Sequence, residues 1–146
     1  MTTLVVYDTT YGNTKTIAEA VARGLGAGAS SVSVSDFKPG MLSGVDVLVT
    51  GAPIIAWRPS GGMKKFLSKL SPGQLSGVKA ACFDTRIKTK LSGDAAHKMA
   101  KVLKKAGADL IVDPEAFIVR GKEGPLAEGE EERARKWADQ IKEQLE

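Results

Sequence analysis

Thr3 Leu4 Val5 Val6 Tyr7 Asp8 Thr9 Thr10 Tyr11 Gly12 Asn13 Thr14 Lys15 is a short apolar run that ends in a cluster of hydroxyls around one glycine and one asparagine. Ile17, Val21 and Leu25 follow at intervals of four, so a buried strand hands over directly to a helix. Such a junction presents backbone N–H groups, side-chain hydroxyls and the positive end of a helix dipole to an anion, with no basic residue needed in the loop. The pattern predicts a phosphate site. Gly-x-Gly-x-x-Gly, suited to a dinucleotide, and a Gly-rich loop ending in Gly-Lys-Ser/Thr, suited to a nucleoside triphosphate and its metal, both fail to occur. Residues 9–14 therefore suit a terminal monophosphate bound without metal. The plainer reading, in which Thr9, Thr10 and Asn13 only turn the chain and cap the helix, stands beside it. Gly24, Gly26 and Gly28 come after the helical pattern and are expected to end it.

A chain of 146 residues with 42% hydrophobic and 26% charged residues predicts a single domain, residues 1–146, able to bury a core. No apolar run reaches the length of a bilayer span, and no cleavage-type leader precedes the first strand, so a cytoplasmic location away from membranes is expected. Cys82 and His97 are the sole residues of their kinds, which removes internal disulfides and cysteine-based metal sites. Triad-type catalysis would have to pass through His97, which falls in a helical pattern, while Cys82 falls in a strand pattern.

Strand-like runs occur at residues 4–7, 32–35, 45–50, 78–83 and 110–112, the last continuing at 116–119. Helical spacing fills most gaps, with Met63, Phe66, Leu67 and Leu70, then Met99 and Leu103, then Ala134, Trp137, Ala138, Ile141 and Leu145. Between the second and third strands, Phe37, Met41 and Leu42 with Pro39 and Gly40 permit only a short helix or turn. The alternation predicts an α/β fold with an open parallel sheet covered on both faces. Ligands of such sheets collect at the carboxyl ends of the strands, which here brings together loops at residues 9–14, 52–62 and 84–93. The second loop holds Trp57, whose indole either stacks on a flat ring or plugs the core.

With those loops in place, the sequence resembles the short-chain flavodoxins over nearly its whole length. Thr9 Thr10 Tyr11 Gly12 Asn13 Thr14 is similar to that family's phosphate loop, Thr50 Gly51 Ala52 Pro53 to its second flavin loop, and Ala81 Cys82 Phe83 Asp84 Thr85 Arg86 to its third. Glu123 Gly124 Pro125 Leu126 resembles the entry to the last helix in some members. The resemblance implies a doubly wound five-stranded parallel sheet ordered 2-1-3-4-5 and a flavin mononucleotide (FMN) cofactor. It implies a phosphate held by Thr9, Thr10, Tyr11, Gly12, Asn13 and Thr14, the phenol of Tyr11 replacing the usual small hydroxyl. Pro53, Ile54, Ile55, Ala56, Trp57 and Arg58 would form the second flavin loop, with Trp57 stacked on the ring, and Asp84, Thr85, Arg86 and Ile87 the third. Electron transfer between redox partner proteins is the implied role, by a monomer or weak dimer.

Two departures bear on redox behaviour. Pro59 stands near the point where the family offers a flexible peptide to the flavin N5, and proline has no N–H to donate. Arg58, Lys64, Lys65, Lys69, Arg86, Lys88, Lys90 and Lys98 gather around the two ring loops against Asp84 and Asp94, where typical flavodoxins are acidic. This rim is expected to favour the reduced anion and to steer acidic partners.

The net charge of +4 raises nucleic-acid binding, but basic side chains are not interleaved with aromatics, and no helix-turn-helix or zinc pattern occurs. No nucleic-acid partner is expected. A phosphoacceptor receiver domain fails at its reacting atom, because the third strand ends Val49 Thr50 Gly51 Ala52 without an aspartate. Two further readings use the same loops. One is a small FMN-dependent reductase of a quinone or porphyrin precursor; the other is a binding module that holds no stable flavin.

Overall fold

Parallel strands in the middle of a sheet must be covered on both faces, and their residues alternate between two cores. In the computed structural model, which describes residues 1–55, 58–88 and 94–146, Leu4 and Val6 of β1 (Thr3–Tyr7) face one core while Val5 and Tyr7 face the other. The chain continues through α1 (Asn13–Leu25), β2 (Ala29–Ser33), a 3-10 turn (Pro39–Leu42), β3 (Val47–Ile55), β4 (Arg58–Pro59) and α2 (Gly61–Ser68). It ends with β5 (Lys79–Ile87), α3 (Ala95–Lys105), β6 (Asp109–Leu110), β7 (Glu115–Val119) and α4 (Glu130–Leu145).

The main sheet runs β2-β1-β3-β5-β6, all pairs parallel, with β7 also paired to β5. β5 is the fourth strand of the predicted order, and β6 with β7 makes the fifth, so the doubly wound arrangement stands. α1 and α4 cover one face with Ile17, Val21, Trp137 and Ile141. α2 and α3 cover the other with Met63, Leu67, Met99 and Leu103. The weak segment before β3 gives only the 3-10 turn, and Phe37 packs edge-on against Phe66 with ring centroids 4.8 Å apart.

Three local expectations are corrected. The second strand is predicted at 32–35 but lies at Ala29–Ser33, because pairing with β1 starts at Thr3↔Ala29 and draws in serines that have little strand preference of their own. Gly24 lies inside α1, and a Cβ there would stand 2.7 Å from Ala138 Cβ, so it permits close packing of α1 on α4; Gly26 caps the helix. Residues 52–55 and 84–87, expected as loop, extend β3 and β5, with Ala52↔Asp84 and Pro53↔Thr85 in register. Pairing of β1 with β3 stops at Gly51, so Pro53 has no β1 partner to deprive of an N–H.

At the far edge an ionic knot fixes α4 to β7. Arg133 bonds both carboxylate oxygens of Glu130 at 2.9 and 2.8 Å, pairs with Glu115 at 3.1 Å, donates to the Ala116 carbonyl, and lies 4.6 Å over the Phe117 ring. Glu130 in turn accepts the Ile118 N–H at 2.6 Å. Arg133's hydrogen bond holds the Glu130 carboxyl below its usual range, with the Ile118 N–H adding to the effect against burial. A carboxyl depressed in the folded state contributes stability above its unfolded pKa, and that contribution fades as pH falls through the folded value. Glu130→Ala is therefore expected to cost about 2 kcal/mol at pH 7. The gap between the two proteins in urea denaturation should narrow as pH falls below the ordinary glutamate range; a gap that does not change with pH would contradict the ionic account.

Candidate functional site

The carboxyl ends of β1, β3, β5 and β7 surround a cavity of about 110 Å³. Thr9, Thr10, Tyr11, Asn13 and Thr14 line it from the first loop, Pro53 and Ile54 from β3, and Thr85, Arg86 and Ile87 from β5.

The first loop is shaped by its own polar atoms. Gly12 N–H donates to Thr9 Oγ1 at 2.9 Å, and Thr9 N–H to the Asp8 carboxylate at 3.0 Å. Gly12 itself, at φ 96°, shapes the loop and does not line the cavity. Thr14, 1% exposed, shares a 2.8 Å hydrogen bond with the Thr85 hydroxyl, which locks the loop to β5. Asn13 Nδ2 donates 3.2 Å to the Glu123 carbonyl, and Gly124 packs so closely that a Cβ there would stand 2.7 Å from Asn13 Oδ1. Asp8 accepts from Ser60 at 2.5 Å, tying the end of β1 to the start of α2.

α1 begins without a side-chain cap and without an acidic residue in its first turn. Among the described residues, the N–H groups of Thr10, Tyr11, Asn13, Thr14 and Lys15 have no acceptor. Thr9 is engaged with Gly12 and Asn13 with Glu123, so the plain capping reading does not use up these donors. A helix start with several unpaired N–H groups around a cavity is chemically suited to an anion with several acceptor oxygens.

The third segment divides. Asp84 is fully buried and gives its carboxylate to Arg86 Nε at 2.8 Å, Arg86 Nη2 at 2.6 Å and Ala96 N–H at 2.9 Å. Burial pushes its pKa up, while the Arg86 and Ala96 bonds oppose that rise. The structure thus places Asp84 between the strand and α3, away from the cavity wall. Arg86 reaches the wall with its charge matched by Asp84 and, at 3.4 Å, by Asp94.

In the second segment, Ile55 is 50% exposed and does not line the cavity. Arg58 lines a neighbouring pocket of about 360 Å³, together with Pro59, Lys64, Leu67, Ser68, Lys98 and Val102. The expected basic rim is therefore split: Arg58, Lys64 and Lys98 surround this second pocket, while Lys65 and Lys69 border a third beside Phe37. Ala56, Trp57 and Lys90 lie outside the described residues.

Val119 and Lys122 also line the cavity, and sequence reading does not select them. Their nearest signal in the sequence is the Gly124 Pro125 turn, which on its own suggests only a helix entry. Cys82 is buried in β5, where Thr50 donates to its sulfur at 3.3 Å and burial pushes the thiol up to about 12. It forms no thiolate near neutral pH. His97 pairs with Asp94 at 2.5 Å on the surface of α3, and neither it nor Cys82 lines the cavity. Among the described residues no helix is long and apolar enough to cross a membrane.

The fold is shared with known proteins. The flavodoxin family profile matches residues 5–137. An archaeal flavodoxin structure superposes with a TM-score of 0.82 at 21% identity, covering 100% of both chains. Oxidised flavodoxin 1 from Bacillus cereus gives 0.84 at 15% identity, again over 100% of both chains. A WrbA-like flavodoxin from Agrobacterium tumefaciens gives 0.77 at 22% identity over 96% of this chain and 94% of that one. A search of curated protein sequences found no match.

Proposed function

The chain belongs to the flavodoxin family, and we propose that it binds FMN noncovalently and carries electrons between redox partner proteins. The observation that supports this most is the set of unpaired N–H donors of Thr10, Tyr11, Asn13, Thr14 and Lys15 at the start of α1, beside the cavity at the carboxyl end of the sheet. The backbone N–H groups of Thr10, Tyr11, Asn13 and Thr14 and the hydroxyls of Thr9 and Thr10 would hold the phosphate. Pro53, Ile54, Thr85 and Ile87 would keep water from the tail of the nucleotide, and Arg86 would present a planar, already neutralised group at the wall. The stacking role of Trp57 rests on its sequence position. When bound, the flavin supplies one- and two-electron chemistry; the protein supplies binding, orientation and tuning.

The partners are proposed to be acidic proteins that approach the face carrying Arg58, Lys64 and Lys98, and the carrier to act in the cytoplasm as a monomer or weak dimer. Arg58↔Ile55 and Pro59↔Ile54 pair across β3 and β4, so this basic face lies one hairpin from the cavity wall.

FMN titration is expected to quench the flavin fluorescence to a saturating 1:1 endpoint. Ligand at a hundred times Kd contributes about 2.7 kcal/mol, which for a domain of this size raises the melting temperature by roughly 5–10 °C. A folded sample that shows neither response overturns the reading. Turnover of a quinone by reduced nicotinamide without any partner protein would move the protein to the reductases.

A further inference from the structure

The charged groups on the cavity wall are few. Among the described residues Arg86 and Lys122 line it, and no carboxylate does. Arg86 is committed to Asp84 and Asp94. Lys122 has no ion-pair partner among the described residues, and it is exposed, so its burial contributes little to the fold.

Its place is nevertheless fixed. Gly124 N–H donates to the Gly121 carbonyl at 3.0 Å, which closes a turn with Lys122 at its first central position. Arg120 N–H donates to the Pro125 carbonyl at 2.8 Å and clamps the base of that turn. Asn13 then fastens the turn to the phosphate loop through Glu123 and Gly124. A long flexible side chain is thereby anchored at its Cα beside a loop that has donors and no net charge of its own.

We propose that Lys122 is the cationic anchor for the nucleotide's phosphate and sets the preference for FMN over riboflavin, an inference that rests on the FMN reading above. A phosphate monoester carries about −1.5 to −2 charges at pH 7. The helix start answers it with partial charges, and Lys122 adds a full one. Riboflavin, which lacks the phosphate, gains nothing from that ammonium.

The test is fluorescence titration of the wild type, Lys122→Gln and Lys122→Arg with FMN and with riboflavin, each at low and high salt. Lys122→Gln is expected to weaken FMN binding about tenfold and riboflavin binding less than about twofold. Lys122→Arg should keep most of the FMN affinity, and the salt dependence of FMN binding should be shallower in Lys122→Gln. The apoproteins should melt together, because the side chain is solvent-exposed. Equal weakening of both flavins, or unchanged FMN affinity in Lys122→Gln, overturns the anchor. If the wild type binds neither flavin, the FMN reading itself fails, and that result is distinct from both.

Discussion

Thr10→Asp is expected to lower the affinity for FMN at least about a hundredfold, while the apoprotein melts at the same temperature as the wild type or slightly above it. Thr10 is exposed at the cavity mouth, and its side chain makes no hydrogen bond among the described residues, so its replacement breaks no internal bond. A carboxylate there faces the unpaired N–H groups of α1, an arrangement worth about 0.3–1 kcal/mol to a helix. The same carboxylate opposes a phosphate dianion. Two negative charges against one at roughly 6 Å, with an effective dielectric constant near 40, repel by about 3 kcal/mol, or about a hundredfold in Kd. Riboflavin should feel far less of this. Thr10→Ser is the control and should bind FMN almost as the wild type does. Paired thermal melts and fluorescence titrations measure both arms. FMN affinity that survives the aspartate would place the phosphate somewhere other than this loop.

That loop is legible in sequence because its parts are contiguous: a strand, the hydroxyls and a helix start follow one another within residues 3–15. The doubly covered parallel sheet is legible for a related reason, since apolar runs without polar alternation need two covered faces, while the strand order is what the family resemblance implies. What escapes is set by distant pairing. β3 and β5 run past their apolar stretches because Pro53 and Thr85 stand opposite each other, and nothing in either segment alone announces it. The fate of Asp84 follows from that miss. Residues two apart on a strand share a face, so Asp84 and Arg86 meet once residue 87 is known to be strand. Read as a loop, they look like separate ligands for a ring. Lys122 is the extreme case, for the turn that carries it reaches the phosphate loop through Asn13 and Glu123, 110 residues apart.

A large stability effect is expected at Gly51, which carries no chemistry. Gly51 stands opposite Phe83 on the next strand, and an ideal Cβ there would lie 2.0 Å from Phe83 Cζ and 2.3 and 2.5 Å from its two Cε atoms. The ring itself therefore fills the space above the glycine. It cannot swing away cheaply, because Phe117 and Trp137 hold it edge to face at 5.8 and 5.9 Å, and all three rings are buried. Gly51→Ala must move either the ring or the strand, and overpacking of this kind costs about 3 kcal/mol. The melting temperature should fall by roughly 6–12 °C. Ala52, Pro53 and Ile54 follow directly in β3, so a displaced strand also shifts the cavity wall, and FMN affinity should drop along with stability. Phe83→Ala alone should cost about 3–5 kcal/mol by leaving a void. The double variant Gly51→Ala/Phe83→Ala should be markedly more stable than the sum of the two losses allows, since each change removes the other's clash or gap. Urea denaturation of the four proteins measures that coupling. Strict additivity, or a Gly51→Ala protein within about 1 kcal/mol of the wild type, would mean that the ring does not rest on the glycine.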